Sequence, residues 1–193
     1  MTFLDTNDII FIGDYMKNKT RDMIECSLFT ALLCIFGPLA VPLGAVPVTM
    51  TVFCVVLSAV ILGCKKSVVS VCVYILLGIV GLPVFSLGKS GLPVLLGPTG
   101  GYVWSYILMA FITGFVSSRG TTSNQLAFSF LGSVISLLLC YVCAISQFVI
   151  LNKTTMYEAF AVCVLPFVVI DVAKCFFAVW LGVKVRKKLP YKS

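Results

Sequence analysis

The chain has 193 residues, of which 60 % are hydrophobic and only 11 % are charged, and it contains no histidine. Since soluble domains carry about 25 % charged residues, this composition excludes an ordinary soluble enzyme, a nucleic-acid-binding domain and a disordered segment. The lack of histidine excludes imidazole general bases, Ser/His triads and His-ligated metal sites. Together with a mean hydropathy of +1.11, these numbers predict an integral membrane protein.

The order of charged and apolar residues predicts three parts. These are a cytoplasmic N-terminal arm at 1–22, a membrane domain at 23–183 and a basic cytoplasmic tail at 184–193. Acidic residues interrupt the arm, and it lacks the basic-then-apolar order of a signal peptide. We expect one amphipathic helix within it, near Ile9–Tyr15.

The membrane domain contains six apolar segments, and the predicted fold is all-α with six transmembrane helices. A bilayer core takes about 20 helical residues per crossing, and backbone groups that meet no water must bond within a helix. The segments lack the alternating polarity of barrel strands. The expected spans are 23–41, 46–64, 67–82, 101–117, 124–148 and 157–183.

The basic residues are distributed unequally between the two sides of these spans. Eleven of the fourteen fall in the arm, in the turns between spans 2 and 3 and between spans 4 and 5, and in the tail. Lys89 and Lys153 fall on the other side, and Lys174 lies within a span. The positive-inside rule therefore places both termini in the cytoplasm. The net charge of +7 then reflects topology and attraction to anionic lipid rather than affinity for nucleic acid.

Two long connections on the external side, 38–49 and 82–101, are rich in glycine and proline yet apolar. Irregular backbone at membrane depth is tolerated only where it packs on protein or lines a cavity. We therefore expect these two loops to cap an outward-facing pocket.

Asp171 and Lys174 in the last span are the most informative residues of the chain. Charges near a helix centre cost at least about 2.5–3.5 kcal/mol each on insertion, and the spacing of three residues places both on one helix face. They form either a structural ion pair that clamps helices together or a ligand site facing the bundle interior, and we favour the ligand site. A carboxylate beside an ammonium suits a ligand that presents N–H and C=O groups side by side.

Three further features surround this pair. Pro166, five residues before Asp171, is expected to kink the last span. Lys89, the one charge in the loop 82–101, is either a solvated lysine or a partner for an anionic ligand group. The glycine-rich turn 97–101 could offer N–H groups to an anion, but it lacks the lysine and hydroxyl residue of a phosphate-binding loop.

Small residues and cysteines complete the inventory of the spans. Ser27, Thr30 and Ala31 form a small-residue face on span 1 that suits a partner subunit, while Ala110, Gly114 and Ser118 on span 4 suit packing inside the chain. The nine cysteines lie in or beside apolar runs and are expected to pack as small hydrophobes. This interpretation includes the C-x-x-C pair at 140–143.

Several motifs together resemble the BioY family, the biotin-binding S components of energy-coupling factor (ECF) transporters. The sequence GLPVF at 81–85 precedes LLGPTGGY at 95–102, PVTMT at 47–51 resembles the family's PxTxQ stretch, and Asp171 and Lys174 form its D-x-x-K motif. The resemblance covers about 25–183. It implies a six-helix capture subunit that works with a membrane T component and two cytoplasmic ATPases.

The resemblance also assigns roles to individual residues. Asp171 would accept the ureido N–H groups of biotin, Lys174 would donate to the ureido oxygen, and Lys89 would meet the carboxylate. The reverse orientation, with the carboxylate on Lys174, stays open. The remaining expected contacts are polar positions near the lid and span 3 and aromatic covers for the apolar rings, at Thr49, Tyr74, Phe85 and Tyr102.

The chain departs from the family pattern at two places. Thr51 stands where the family has glutamine, which removes any glutamine contact. Ser105 and Tyr106 replace a Gly-Phe pair, and we expect this change to alter packing only.

Two other classes of function compete with a binding subunit. A stand-alone secondary transporter or channel is disfavoured because the spans hold two central charges and no inverted repeat. An intramembrane enzyme would need an acid–base cluster, metal ligands or a reactive cysteine pair, and none is evident. We therefore expect a non-catalytic subunit with biotin as its ligand and no cofactor.

Overall fold

The computed structural model describes residues 6–43, 46–121 and 124–188, with side chains described from residue 19 onward and not at residue 43. The helices and strands in chain order are α1 Thr6–Phe36, β1 Ala40–Leu43, β2 Val46–Thr49, α2 Thr51–Leu62, α3 Cys64–Val80, α4 Leu92–Leu96, α5 Gly100–Arg119, α6 Gln125–Asn152, α7 Met156–Cys163 and α8 Val168–Lys188. A single 3-10 turn at Ser86–Gly88 lies between α3 and α4. The mostly helical fold predicted from the sequence is confirmed.

Helix α2 lies at the centre of the bundle, where it packs against α1, α3, α5 and α8. Its sequence is apolar on every side, and ten of its twelve residues are buried. A helix that is hydrophobic all round is stable only when neighbours enclose it. The core therefore forms around α2, and α5 and α6 pack together beside it.

The segment after α1 departs from the predicted all-α fold. Strands β1 and β2 pair antiparallel, with Ala40 opposite Thr49 and Pro42 opposite Pro47. The predicted loop 38–49 is thus largely a β-hairpin, and the predicted second span, 46–64, begins as a strand. Prolines and β-branched valines disfavour a helix interior, so the helix starts only at Thr51.

The late start of α2 makes it a short helix. Its 12 residues rise about 18 Å, well below the roughly 30 Å of a bilayer's hydrocarbon core. The hairpin occupies the remaining depth above its first residue. A cavity can therefore form at the level where a full-length helix would have filled the bundle.

The last apolar segment is broken, as the kink at Pro166 predicts. Helix α7 ends at Cys163, α8 begins at Val168, and the two are bent by 48°. Proline lacks an N–H group and its ring collides with the carbonyl four residues earlier, so the helix cannot continue through it. The predicted single span 157–183 is therefore two helices.

Two described helices, α5 and α6, are long and apolar enough to cross a membrane, and the bent pair α7–α8 is a third candidate. Helix α3 is one residue below an 18-residue length, and α1 carries charges in its first half. The predicted amphipathic helix at Ile9–Tyr15 is continuous with α1. The predicted count of six spans stays a prediction.

Basic side chains hold one end of the bundle together. Arg186 on α8 donates to the carbonyl of Val60 at 3.2 Å and to the Ser117 hydroxyl at 3.4 Å. Lys66 on α3 forms ion pairs with Asp22 and with Glu25 on α1. The C-terminal ends of α2, α5 and α8 and the start of α3 therefore lie together, and we call this the basic end.

Helix α5 packs closely on its neighbours through small residues. A Cβ atom added at Gly114 would lie 2.6 Å from both the Cα and the N atom of Cys64, and one added at Gly101 would lie 2.6 Å from the carbonyl oxygen of Cys143. Such distances leave no space for a side chain. The predicted internal packing of the small residues in span 4 is therefore confirmed for Gly114 and for Ala110, which is fully buried, and is wrong for Ser118, which is exposed.

The contact at Gly114 predicts the effect of a single methyl group. We expect Gly114→Ala to destabilise the protein by about 1–3 kcal/mol, the usual cost of overpacking, because α5 must move away from Cys64. Thermal unfolding in detergent measures this as a lower midpoint. Ser118→Ala, one turn along, is the control, because Ser118 is exposed and bonds only to Phe115 of its own helix. An unchanged midpoint for Gly114→Ala would contradict the tight packing.

Candidate functional site

A cavity, partly open to the surroundings, lies at the end of the bundle opposite the basic end. The N-terminal turns of α2, α5 and α8, the hairpin and the loop between α3 and α4 all contribute to its wall. Its lining side chains are Val46, Pro47, Val48, Thr49, Thr51, Val52, Tyr74, Phe85, Ser86, Val94, Thr99, Tyr102, Val103, Tyr106, Leu137, Cys140, Tyr141, Phe167 and Asp171.

The predicted charge pair lies at this cavity. Asp171 is 5 % exposed and Lys174 is 9 % exposed, and the Lys174 ammonium lies 2.9 Å from Asp171 Oδ1. Asp171 is in the first turn of α8, where the positive end of the helix dipole favours a carboxylate. The break before α8 therefore places the acid where it is stabilised and where it also faces the cavity.

Lys174 also ties α8 to the hairpin. Its ammonium donates to the carbonyl oxygen of Thr49 at 2.9 Å as well as to Asp171. Lys174 is not among the residues whose atoms line the cavity. The pair thus clamps α8 to the hairpin and leaves the Asp171 carboxylate at the cavity wall.

Tyr141 on α6 completes the environment of the carboxylate. Its hydroxyl donates to Asp171 Oδ2 at 2.9 Å, and its side chain is buried. Both oxygens of Asp171 are therefore engaged, one by Lys174 and one by Tyr141. An ionised carboxylate has about four acceptor positions, so two remain available on the cavity side.

The predicted aromatic residues form the wall as expected, but two of them use their hydroxyls structurally. Tyr74 donates to the carbonyl of Val84 at 3.0 Å, and its ring packs edge-on against Phe85 at 5.7 Å. Tyr102 donates to the carbonyl of Cys163 at 2.7 Å. That carbonyl stands at the break between α7 and α8, so Tyr102 satisfies the acceptor that the broken helix leaves open.

Lys89, like Lys174, is a predicted site residue that does not line the cavity. It is exposed and follows the 3-10 turn, and its backbone N–H bonds to the carbonyl of Ser86. Ser86 itself lines the cavity. The lysine therefore stands beside the wall rather than in it.

Fourteen of the lining residues were absent from the predicted site, and three of them are Tyr141, Cys140 and Tyr106. Tyr141 and Cys140 lie in an uninterrupted apolar run, where neither residue produces a pattern that differs from core packing. Tyr106 packs in the core and also lines the cavity. For Ser105, whose hydroxyl bonds to the Cys140 sulfur at 2.8 Å, a packing role holds.

The predicted partner-facing residues lie along a groove between α1 and α3. Ser27 and Ala31 are exposed there, whereas Thr30 is buried and donates to the carbonyl of Ser70 on α3. Within the described ranges, the acidic and cysteine side chains form no group of three suited to a metal ion. The described site is thus one of hydrogen bonding and apolar contact.

Known proteins resemble the chain over nearly its full length. The model of the BioY family matches residues 12–191. The "Biotin transporter BioY" of Thermotoga maritima is 37 % identical over 168 residues, which are 86 % of this chain and 96 % of that protein. The "Probable biotin transporter BioY" of Pyrococcus horikoshii is 34 % identical over 171 residues, 87 % of this chain and 98 % of that one.

A solved structure has the same fold. The crystal structure of the S-component for biotin from an ECF-type ABC transporter matches with a TM-score of 0.79 and 23 % identity, over 90 % of this chain and 94 % of the other. The resemblance inferred from the sequence motifs is confirmed by the family model. The chain belongs to the BioY family.

Proposed function

We propose that this chain captures biotin for uptake across the cytoplasmic membrane, as the substrate-binding S component of an ECF transporter. The observation that carries the proposal is the buried Asp171–Lys174 pair at the wall of a largely apolar and aromatic cavity. The named relatives are biotin transporters. The chain therefore binds and hands on its ligand, with no catalytic step and no cofactor of its own.

The unused hydrogen-bonding capacity of the pair matches the ureido ring of biotin. An ammonium has three donors, and Lys174 uses two of them on Thr49 and Asp171. Asp171 retains two acceptor positions beyond its bonds to Lys174 and Tyr141. One donor and two acceptors complement the one carbonyl and two N–H groups of a ureido ring.

The rest of the ligand fits the remaining wall. The thioether ring and the valerate chain are apolar, and Phe85, Tyr102 and Phe167 offer them aromatic surface. Lys89, outside the wall, would meet the valerate carboxylate as it leaves the cavity. Thr49 and Tyr74 complete the contacts near the hairpin and α3.

The membrane arrangement follows from the same charges. In this proposal the basic end faces the cytoplasm, the six apolar segments cross the membrane and the cavity opens outward. Arg186, Lys66 and the basic tail residues of α8 lie at that one end, which supports a common cytoplasmic side.

A T component and two cytoplasmic ATPases would supply the energy. The groove between α1 and α3, with Ser27 and Ala31 exposed along it, is where we place the T component, because small residues let a partner helix approach closely. Thr30 contributes by holding α1 to α3. The solved S component, part of an ECF-type ABC transporter, supports this assembly.

Asp171 gives the direct test of the proposed function. We expect the purified protein to bind biotin in isothermal titration calorimetry and Asp171→Asn to bind at least about tenfold more weakly, since hydrogen bonds to charged groups contribute about 1.5–3 kcal/mol. Glu158→Gln is the matched control, because Glu158 lies on α7 in a capping box that glutamine also forms. Equal affinities for wild type and Asp171→Asn would remove Asp171 from the site. An absence of biotin binding by the wild type would refute the function.

Tyr141 tests whether the orientation of the carboxylate matters. We expect Tyr141→Phe to weaken biotin binding about threefold to tenfold, because Asp171 loses the donor that fixes Oδ2. Tyr157→Phe, which removes a hydroxyl from a side chain that is 82 % exposed, should bind like the wild type. If both variants bind alike, the contact with Asp171 has no part in recognition.

Lys89 is tested with a neutral ligand. The wild type should bind biotin more tightly than biotin methyl ester, whereas Lys89→Ala should bind the two equally, because the charge that distinguishes them is gone. Competition against labelled biotin measures both affinities. A preference for biotin that survives in Lys89→Ala would assign the carboxylate to another residue, with Lys174 the first candidate.

A further inference from the structure

One wall of the cavity is a short irregular segment, residues 92–99, which comprises α4 and the turn leading to α5. Its inner side contributes Val94 and Thr99 to the cavity lining, while Leu92 and Leu96 on its outer side are 54 % and 68 % exposed. The segment is thus a single layer of chain between the cavity and the surroundings. Any ligand that leaves on this side must displace it.

The segment is tied to the bundle by Gln147 on α6. The side-chain nitrogen Nε2 donates to the carbonyl oxygens of Leu95 and Gly97, at 2.8 Å each. Both partners are acceptors, so only the amide NH₂ group can satisfy them, and the orientation of the amide is fixed. Gln147 therefore contributes two donors to one short stretch of backbone.

The Leu95 carbonyl has particular need of a donor, whereas the Gly97 carbonyl also accepts the Gly100 N–H at 3.0 Å. Helix α4 has five residues, so its last carbonyls find no partner within the helix. Gly97 after it is extended, with φ −81° and ψ 178°, and so does not form the left-handed cap that often serves helix ends. The amide of Gln147 replaces that cap from a neighbouring helix.

The surroundings leave Gln147 little freedom. A Cβ atom added at Gly100 would lie 2.6 Å from its Nε2, so the amide passes close over the first residue of α5. Leu95, beside the same carbonyl, is 1 % exposed and packs the segment inward. The hydrogen bonds from Gln147 and the buried side chain of Leu95 thus hold the segment at the same point.

We propose that Gln147 is a positioning residue that keeps segment 92–99 closed over the ligand and so determines how long biotin stays bound. This inference rests on the proposed function. Without the two bonds, the Leu95 carbonyl gains more by opening to water than by staying closed, and the Gly97 carbonyl keeps its bond to the Gly100 N–H at the start of α5. The segment then opens more often, and biotin both enters and leaves faster.

The test is a set of variants at one position that separates hydrogen-bond donors from shape. Gln147→Met has similar length and no donor, Gln147→Glu has the same shape but accepts only, and Gln147→Lys restores a donor. We expect the Met and Glu variants to release labelled biotin about tenfold faster in a chase experiment, and Gln147→Lys to release it at close to the wild-type rate. Asn152→Leu is the control, because Asn152 is an amide on α6 that bonds only to Phe148 of its own helix.

Equal release rates in the wild type and the three Gln147 variants would overturn the proposal. So would a Gln147→Lys variant that releases biotin as fast as Gln147→Met, because the side chain would then act through its shape alone. Rescue by lysine is the result that a purely structural role does not produce.

Hydrogen exchange of the ligand-free protein separates this inference from the proposed function. The backbone amides of residues 92–101 should exchange faster in the Met and Glu variants than in the wild type and the Lys variant. If these amides exchange at the same rate in all of the proteins, and the proteins bind biotin, the role of Gln147 is refuted while the proposed function stands. If the wild type binds no biotin, the proposed function fails, and exchange still decides whether Gln147 holds the segment.

Discussion

The structure depends on one requirement, that buried backbone carbonyls outside regular helices find donors. The cavity is built from such backbone, because a hairpin, a loop, a short helix and a broken helix surround it. In each of these segments a side chain from a neighbouring element supplies the donor. The pairs are Lys174 with Thr49, Tyr74 with Val84, Gln147 with Leu95 and Gly97, and Tyr102 with Cys163.

The same requirement explains why the ligand site and the irregular segments coincide. Helix α2 starts late and α8 starts after a proline, so two helix ends stand where continuous helices would have filled the bundle. The space that they leave is the cavity. The polar groups that hold its wall lie beside the polar groups that face it, since Lys174 bonds both to the Thr49 carbonyl and to Asp171.

The sequence predicts the site best where a residue contradicts its surroundings. Asp171 and Lys174 stand out because charges are costly in an apolar segment, and Pro166 stands out because it cannot continue a helix. Tyr141 and Gln147 could not be found in this way, because one tyrosine or one glutamine in an apolar helix is compatible with many roles. Their partners are a distant carboxylate and two backbone oxygens, and the linear sequence carries no pattern for either.

The fold was predictable to a similar degree and for similar reasons. Hydropathy identifies the apolar segments, but it does not separate a strand from a helix in a run such as 46–49, where prolines and valines alternate. The pairing of Pro42 with Pro47 depends on a turn that brings two stretches together. The residue at which α2 starts, and with it the depth of the cavity, therefore depends on the pairing of β1 with β2.

Neighbouring side chains hold the cavity wall by its backbone oxygens. The hydrogen bonds that anchor the wall therefore do not depend on which side chains the wall carries. Thr49, Val84, Leu95 and Gly97 accept through atoms that every amino acid possesses. A substitution at Thr49, which lines the cavity, would therefore reshape the cavity while its backbone anchor to Lys174 stays intact. As long as the donor side chains are kept, the residues whose backbone oxygens accept from them can change. The ligand preference of such a fold can then diverge without loss of the fold.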